Sequence, residues 1–198
     1  MSEFHRLRAY LERRGTFTEE EFAFLEPLFL PRTLRAGEFL QRAGDGVTHG
    51  AFVATGCLRK YVLDVKGKEH IVQFAPENWW TGEGPGVAPG APAQYFIDAV
   101  EDSELLLVDA ASHQRAIERL PGYAAGFRDG LQRQAAATEQ RIVNTLSESA
   151  EERYEAFLKK YPSIAQRVPQ FMLASYLGVS PETLSRVRKN RSQARRPT

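Results

Sequence analysis

Polar and basic side chains recur along a predicted helix near the C-terminal end of the chain. Between Leu173 and Lys189, Gly178 marks where a first helix should end. Ser180 can cap a second helix, and Pro181 suits its first position. The outward residues of this second helix are of kinds that bind base edges and phosphates, and the expected DNA contacts are Ser180, Glu182, Thr183, Ser185, Arg186, Arg188 and Lys189.

Small and apolar positions in the same segment fit two crossing helices, as in a helix-turn-helix. Ala174 is small where the helices must cross, and the apolar positions that pack them together are Leu173, Leu177, Val179, Leu184 and Val187. The alternative interpretation is an ordinary helical hairpin with a solvated, charged face. We favour the DNA-reading motif because small, glycine and apolar positions all agree with it.

Charge is distributed unevenly along the 198 residues. Residues 1–140 carry 15 Lys/Arg and 20 Asp/Glu, whereas residues 141–198 carry 11 and 5. This asymmetry indicates an acidic regulatory part joined to a basic part that binds a polyanion. Cys57 is the only cysteine, so no intramolecular disulfide can form and a reducing compartment is expected. No apolar run is long enough to span a membrane and the N-terminal residues are charged, so we expect a cytoplasmic protein without a membrane partner.

Three regimes of hydrophobic pattern follow one another. Helices are predicted over 2–14 and 18–26, where Thr18 and Glu21 have the spacing of a capping box. Glycine-punctuated strands follow, with a Lys66-Gly67 hairpin turn, and they indicate an antiparallel roll or barrel. The predicted strands are Glu38–Gln41, Ala51–Ala54, Leu58–Val65, His70–Phe74, Tyr95–Val100 and Leu105–Val108. From Ala110 the pattern is helical to the end of the chain.

One long helix is predicted over residues 121–147, with a narrow stripe along it. The stripe is expected to be a dimer seam formed by Phe127, Leu131, Ala135, Thr138 and Ile142, continued by Leu146. The small residues Gly126, Gly130 and Ala135–Ala137 would let a partner helix approach closely. The alternative is that the stripe packs only on the strand domain. A short helix over Arg153–Tyr161 and a basic, disordered tail from Arg191 complete the prediction.

The whole chain resembles the Crp/Fnr family of bacterial transcription regulators. The residues that carry the resemblance are Gly56–Tyr61, Gly82-Glu83, Ala99–Ser103 and Leu177–Arg186. It implies an α+β fold with an antiparallel, jelly-roll-like β-roll as a sensor domain of the cyclic-nucleotide-binding type. The expected domains are the roll with its N-terminal helices over 1–120, a dimerisation helix over 121–147, and a helix-turn-helix domain with the basic tail over 148–198. The wing that usually follows the recognition helix is expected to be reduced or absent, because few residues remain.

The resemblance also implies partners: double-stranded DNA at a palindromic operator, a second copy of the chain, and an unknown small-molecule effector. RNA polymerase is a further candidate partner. The expected effector pocket comprises Gly82, Glu83, Ala93, Gln94 and Thr138.

The family's cyclic-nucleotide chemistry is where this sequence departs. In cyclic-nucleotide-binding members a Gly-Glu pair opens the phosphate-binding segment and an Arg followed by Ser or Thr closes it. Here Gly82-Glu83 match the opening, but the closing pair falls on Ala93 and Gln94. No Arg occurs between Arg59 and Arg115, and burying a phosphate without a cation costs several kcal/mol. We therefore expect no cyclic AMP binding, unless Arg59, Lys60 or a partner subunit supplies a cation.

Single residues near this segment have two interpretations each. Glu83 is either a structural hydrogen-bond acceptor or a pocket residue. Trp79 and Trp80 are expected to be core or pocket wall rather than a stacking platform.

Other cofactors and function classes fit the sequence less well. An iron–sulfur sensor needs four thiolates, and Cys57 is the only cysteine of this sequence. A haem sensor needs an axial ligand, and nothing singles out His5, His49, His70 or His113. A cupin-type metal enzyme needs a His-x-His pair, which is missing, as are a nucleophile elbow and a phosphate-binding loop. We therefore expect no enzyme activity, cofactor or metal. The remaining alternative is a ligand-binding or protein-interaction roll with a vestigial helix-turn-helix.

Overall fold

A computed structural model describes residues 3–83 and 88–194. The helices are α1 (Glu3–Glu12), α2 (Glu19–Leu25), α3 (Ala110–Arg119), α4 (Pro121–Ser147), α5 (Ala150–Lys160), α6 (Ile164–Arg167), α7 (Gln170–Leu177) and α8 (Pro181–Ala194). The strands are β1 (Leu30–Leu34), β2 (Phe39–Gln41), β3 (His49–Thr55), β4 (Cys57–Leu63), β5 (Glu69–Pro76), β6 (Trp80–Thr81), β7 (Phe96–Ala99) and β8 (Ser103–Asp109).

These elements form two compact units. The first contains the described residues of Met1–Val62 and Gln73–Ala135, and the second contains Leu63–Val72 and the described residues of Ala136–Thr198. Helix α4 belongs to both units: residues 121–135 are part of the first and residues 136–147 are part of the second. Its bounds are those that the sequence predicts.

Two four-stranded sheets make up the predicted β-roll. Their strand orders are β1-β8-β3-β6 and β2-β7-β4-β5. The pairings of β8 with β1 and β3, and of β7 with β2 and β4, are antiparallel. This confirms the α+β class with an N-terminal antiparallel roll.

Alternation along the strands produces two apolar cores in the first unit. Ala51 and Val53 of β3 belong to one buried cluster, whereas Phe52 between them belongs to the other. Leu105 and Leu106 of β8 divide in the same way. Because both faces are covered, these strands appear in the sequence as continuous apolar runs.

Helix starts follow their capping residues. The predicted capping box of Thr18 and Glu21 is present at α2. Helix α5 begins at Ala150, three residues before the predicted start, because Ser149 and Glu152 form a second capping box. Helix α8 extends to Ala194, so the expectation that the chain is disordered from Arg191 is wrong for residues 191–194, and residues 195–198 lie outside the described part.

Gly56 connects β3 to β4 in a backbone conformation that suits glycine, with φ of +87°. A Cβ atom here would lie 2.6 Å from the carbonyl oxygen of Asp102 and 2.8 Å from the Cα atom of Ser103. Gly37, with φ of +83°, is a matched site without such neighbours, since nothing lies within 4 Å of its Cβ position.

We predict that Gly56→Ala lowers the free energy of unfolding by about 2–4 kcal/mol, because positive φ and a backbone clash add. Gly37→Ala should cost only the backbone strain, about 1 kcal/mol. Urea unfolding followed by tryptophan fluorescence compares the two. Equal losses would show that the contact with Asp102 and Ser103 is easily relieved.

Candidate DNA-binding helix and roll cavity

Helices α7 and α8 form the predicted helix-turn-helix geometry. Gly178 ends α7 in the left-handed conformation, with φ of +67°. The N–H of Val179 then donates to the carbonyl of Ala174 at 3.0 Å, which satisfies the end of the helix. Ser180 caps α8, since its Oγ accepts from the N–H of Thr183 at 3.2 Å. The predicted packing positions Leu173, Ala174, Leu177, Leu184 and Val187 are buried, and Val179 is half-buried.

The predicted DNA contacts lie largely on the exposed side of α8. Ser180, Glu182, Ser185, Arg186 and Lys189 are exposed, and Thr183 and Arg188 are half-buried. Glu182 and Arg186 are four residues apart and so occupy successive turns on one face. A hydrogen bond from the Ser180 side chain lowers the pKa of Glu182, so its carboxylate is ionised near neutral pH and accepts hydrogen bonds.

Arg191 has a structural partner in the second unit. Its Nε forms an ion pair with Oε1 of Glu155 on α5, and its guanidinium lies 5.9 Å from the ring of Tyr154. This contact holds the last turns of α8 against α5, which explains why the helix continues beyond the predicted recognition segment.

The predicted dimer seam on α4 has two different environments. Phe127 packs edge-on against Trp80, with ring centroids 5.3 Å apart, and Leu131 is half-buried beside a cavity. Ala135, Thr138 and Ile142 are exposed. Beyond them, Leu146 is an apolar side chain with 83% of its surface exposed.

Gly126 and Gly130 face the chain's own first unit, so the expectation that they admit a partner helix is wrong. A Cβ atom on Gly126 would lie 3.1 Å from Leu11, and one on Gly130 would lie 3.0 Å from the Tyr10 hydroxyl and 3.2 Å from Trp80. The small residues bring α4 close to α1 and to the core of the roll.

A cavity of about 440 Å³ lies in the first unit. Its apolar wall includes Trp80, Val108, Ile117, Phe127 and Leu131. Its polar lining includes His49, Lys60, Glu83, His113 and Gln134. Cavities of this size and mixed lining hold small organic ligands.

Gly82 and Glu83 lie at this cavity, and Glu83 is a structural hydrogen-bond acceptor. Its Oε1 accepts from Nε2 of Gln41 at 2.7 Å and from the backbone N–H groups of Gln94 and Tyr95 at 3.1 and 3.2 Å. These bonds join the end of β6 to β2 and to the residues that enter β7. Oε1 of Glu83 is therefore engaged by donors of the chain itself.

The other predicted pocket residues are not among the described residues that line the cavity. Ala93 is buried. Its carbonyl oxygen accepts from the N–H of Gly44 and its N–H donates to the carbonyl oxygen of Asp45, both at 2.8 Å. Gln94 is exposed and contributes its backbone N–H to Glu83. Thr138 is exposed on the part of α4 that belongs to the second unit. Their contact with an effector stays a prediction.

Strand register separates the two candidate cations, Arg59 and Lys60. Arg59 is opposite Asp98 of β7, and the pair makes two hydrogen bonds, Nε–Oδ1 at 2.7 Å and Nη2–Oδ2 at 2.9 Å. Lys60 is opposite Ile97, on the other face of the sheet. Its Nζ donates to the carbonyl oxygen of Gly82 at 2.7 Å. Burial lowers the pKa of Lys60, and the nearby charge of Glu83 partly offsets that effect.

Two histidines also line the cavity, which the sequence did not indicate. His49 begins β3, and Nδ1 of His113 shares a 2.8 Å hydrogen bond with the hydroxyl of Tyr123. Burial lowers the pKa of His113, so this imidazole is neutral near pH 7. Their neighbourhood could not be seen from sequence spacing, because they belong to β3 and α3. His70 instead pairs with Asp64 at 3.0 Å on the surface.

Within residues 3–83 and 88–194, no group of three or more His, Cys, Asp or Glu residues could hold a metal ion. The helices in the same ranges are too short or too polar to cross a bilayer.

Comparison with known proteins agrees with this architecture. Residues 31–119 match the family model of the cyclic nucleotide-binding domain. FixK2 from Bradyrhizobium japonicum is similar in structure, with 21% identity, a TM-score of 0.73, and coverage of 84% of this chain and 86% of that chain. No curated protein sequence matches the chain.

Two further solved structures are similar. CLP from Xanthomonas campestris, a global regulator described as responsive to c-di-GMP, has 14% identity and a TM-score of 0.73, covering 89% of this chain and 93% of that chain. TTHA1359 from Thermus thermophilus, a transcriptional regulator of the Crp/Fnr family, has 18% identity and a TM-score of 0.64, covering 85% of this chain and 90% of that chain.

The fold defines a class: a β-roll, a long helix and a helix-turn-helix in one chain. More particularly, it is the fold of the Crp/Fnr transcription regulators, with a cyclic-nucleotide-binding-type domain over 31–119. The structural neighbours are transcription regulators rather than enzymes.

Glu83→Ala removes the acceptor of three hydrogen bonds, and we predict that it lowers the free energy of unfolding by about 1–3 kcal/mol. Glu83→Gln keeps an acceptor oxygen and should cost less than about 1 kcal/mol. Chemical denaturation of both variants measures the difference. An unchanged free energy of unfolding for Glu83→Ala would contradict the structural role of this carboxylate.

Proposed function

We propose that this protein is a homodimeric, sequence-specific DNA-binding transcription regulator. The observation that carries the proposal is the exposed face of α8, where Glu182 and Arg186 project from a helix whose opposite side packs on α7. A helix presented in this way can enter the major groove of DNA. The basic composition of residues 141–198 supports contact with the phosphate backbone.

Glu182 and Arg186 are assigned to base reading. A carboxylate accepts from the amino group of cytosine, and a guanidinium donates to N7 and O6 of guanine. The remaining exposed polar side chains of α8, such as Lys189, grip phosphates and set the register.

Arg186→Ala should weaken binding to the specific site by about 1–3 kcal/mol and relax base preference at one position. Lys189→Ala is the matched control, expected to weaken binding to specific and random DNA alike. Fluorescence anisotropy on both DNAs at fixed salt gives the comparison. Equal losses on both DNAs for Arg186→Ala would show that Arg186 contacts only phosphate.

The dimer is assigned to the exposed part of the α4 stripe. Ile142 and Val143 are 53% and 48% exposed, and Leu146 is 83% exposed. Apolar side chains repeated along one helix face and left open to solvent are typical of a helix that pairs with another. Leu131 suits a test of this interface less well than Ile142, because Leu131 also lines the roll cavity.

Ile142→Glu should place two like charges in the seam and convert the dimer into monomers that bind DNA weakly. Gln132→Glu introduces the same charge at an exposed position outside the stripe and should leave the dimer intact. Sedimentation velocity at micromolar concentration measures the oligomeric state of both variants. A wild-type monomer that still binds DNA tightly would contradict the seam.

The effector is proposed to be something other than a cyclic mononucleotide. Ala93 offers no cation for the phosphate, and the Oε1 of Glu83 is occupied by the chain's own donors. The fold does not demand a cyclic mononucleotide, since its relative CLP is described as responsive to c-di-GMP.

Calorimetry should show that cyclic AMP and cyclic GMP bind no tighter than about 1 mM, because Ala93 and Gln94 offer neither a guanidinium nor a hydroxyl to hold the cyclic phosphate where the segment closes. The double substitution Ala93→Arg with Gln94→Ser restores the clamp and should tighten cyclic AMP binding if the rest of the pocket is intact. A micromolar isotherm with the wild-type chain would contradict the proposal.

A further inference from the structure

Lys60 is a buried cation that has no ion-pair partner among residues 3–83 and 88–194. Lys60 is only 8% exposed, and its Nζ lies 3.9 Å from the ring centroid of Tyr95. An ammonium has three N–H donors, and the carbonyl oxygen of Gly82 takes one of them. Within the described ranges, no carboxylate oxygen lies within 4 Å of this nitrogen.

The nearest anion acts on this charge only from beyond ion-pair distance. Glu83 lines the same cavity, but its Oε1 is held by Gln41 and by two backbone N–H groups. Arg59, the neighbouring cation on β4, shows the contrast, because it has a bidentate partner in Asp98. A buried charge without a partner of opposite charge is costly, so its presence at a cavity points to an anion supplied from outside the chain.

The rest of the cavity indicates what that anion is attached to. The aromatic and aliphatic side chains of Trp80, Phe127, Leu131 and Ile117 form one wall of the 440 Å³ space. Such a wall stabilises an apolar body by removing it from water. The site therefore offers one buried positive charge beside an extended apolar surface.

We propose that the roll cavity binds an amphipathic organic anion, with an aromatic or alicyclic body against Trp80 and Phe127 and a single carboxylate or sulfonate paired with Nζ of Lys60. This inference rests on the sensor role in the proposed function and names the chemical class of its effector. The cation that pairs with the ligand is then Lys60 on β4, which contacts Gly82 where the phosphate-binding segment opens. It is not at Ala93 and Gln94, where that segment closes.

The ligand class can be tested with two fluorescent probes of nearly the same shape. The anionic probe is 1-anilinonaphthalene-8-sulfonate, and the neutral probe is N-phenyl-1-naphthylamine, which lacks the sulfonate. The wild-type chain should bind the anionic probe at one site per subunit and prefer it over the neutral one. Lys60→Met should weaken the anionic probe by about 10- to 100-fold and leave the neutral probe unchanged. Lys68→Met, an exposed lysine on the β4–β5 hairpin, is the matched control and should change neither affinity.

A second readout separates ligand binding from a structural role of Lys60. Without any probe, Lys60→Met should raise Tm by about 2–4 °C, because it removes a buried charge that has no ion-pair partner among the described residues, while keeping the length of the side chain. A fall in Tm would show that the bond to Gly82 is structural and would overturn the proposal. The proposal would also be overturned if the wild-type chain showed no preference for the anionic probe. Equal effects of Lys60→Met and Lys68→Met on its affinity would overturn it as well.

These titrations contain no DNA, so their outcome is independent of operator binding. A wild-type chain that fails to bind DNA specifically would contradict the proposed function and leave the pairing of Lys60 with an anion standing. A chain that binds DNA but shows no Lys60-dependent preference for the anionic probe would contradict only the ligand class.

Discussion

The close approach of α4 to the aromatic core is the constraint on which the first unit depends. Gly126 and Gly130 bring the helix backbone close to Leu11, Tyr10 and Trp80, where an added Cβ atom would lie only 3.0–3.2 Å from these side chains and they would have to give way. Nη2 of Arg133 then donates to the Tyr10 hydroxyl at 2.9 Å, and Nε of Arg14 pairs with Asp129 at 2.8 Å. Phe127, the first residue of the stripe, also packs on this core, whereas Ile142 further along the helix is exposed.

Under the proposed function, the ligand surface and the dimer surface are parts of one helix, α4. Phe127, Leu131 and Gln134 line the cavity, and Ile142 and Leu146 are exposed further along the same element. Under the proposed function, an effector changes DNA affinity only by its different affinity for two arrangements of this helix pair.

Much of the fold could be predicted from periodicity. Helix α4, the glycine stop at Gly178 and the cap at Ser180 are local features with strong residue signatures, and the structure confirms them. Strands β1 and β6 were not predicted individually. β1 is exposed along most of its length, and β6 contains only Trp80 and Thr81, so neither has a clear alternating pattern.

The candidate site was less predictable because it depends on register. Arg59 and Lys60 are adjacent, similarly basic and both buried, so the sequence cannot tell which of them is neutralised. Pairing of β4 with β7 decides it by placing Asp98 opposite Arg59 and Ile97 opposite Lys60. The glycines of α4 suggest a partner helix for the same reason, because small residues indicate a close approach but not which element approaches.

Selection of bound sequences from a random pool of double-stranded DNA by the wild-type chain tests the central claim most directly. A dimer that presents two α8 helices should enrich an inverted repeat whose half-sites are centred about 10 base pairs, or roughly 34 Å, apart. Guanine or cytosine should be enriched where Glu182 and Arg186 meet the bases. Enrichment of a single unrepeated half-site, or no enrichment over the starting pool, would contradict the account.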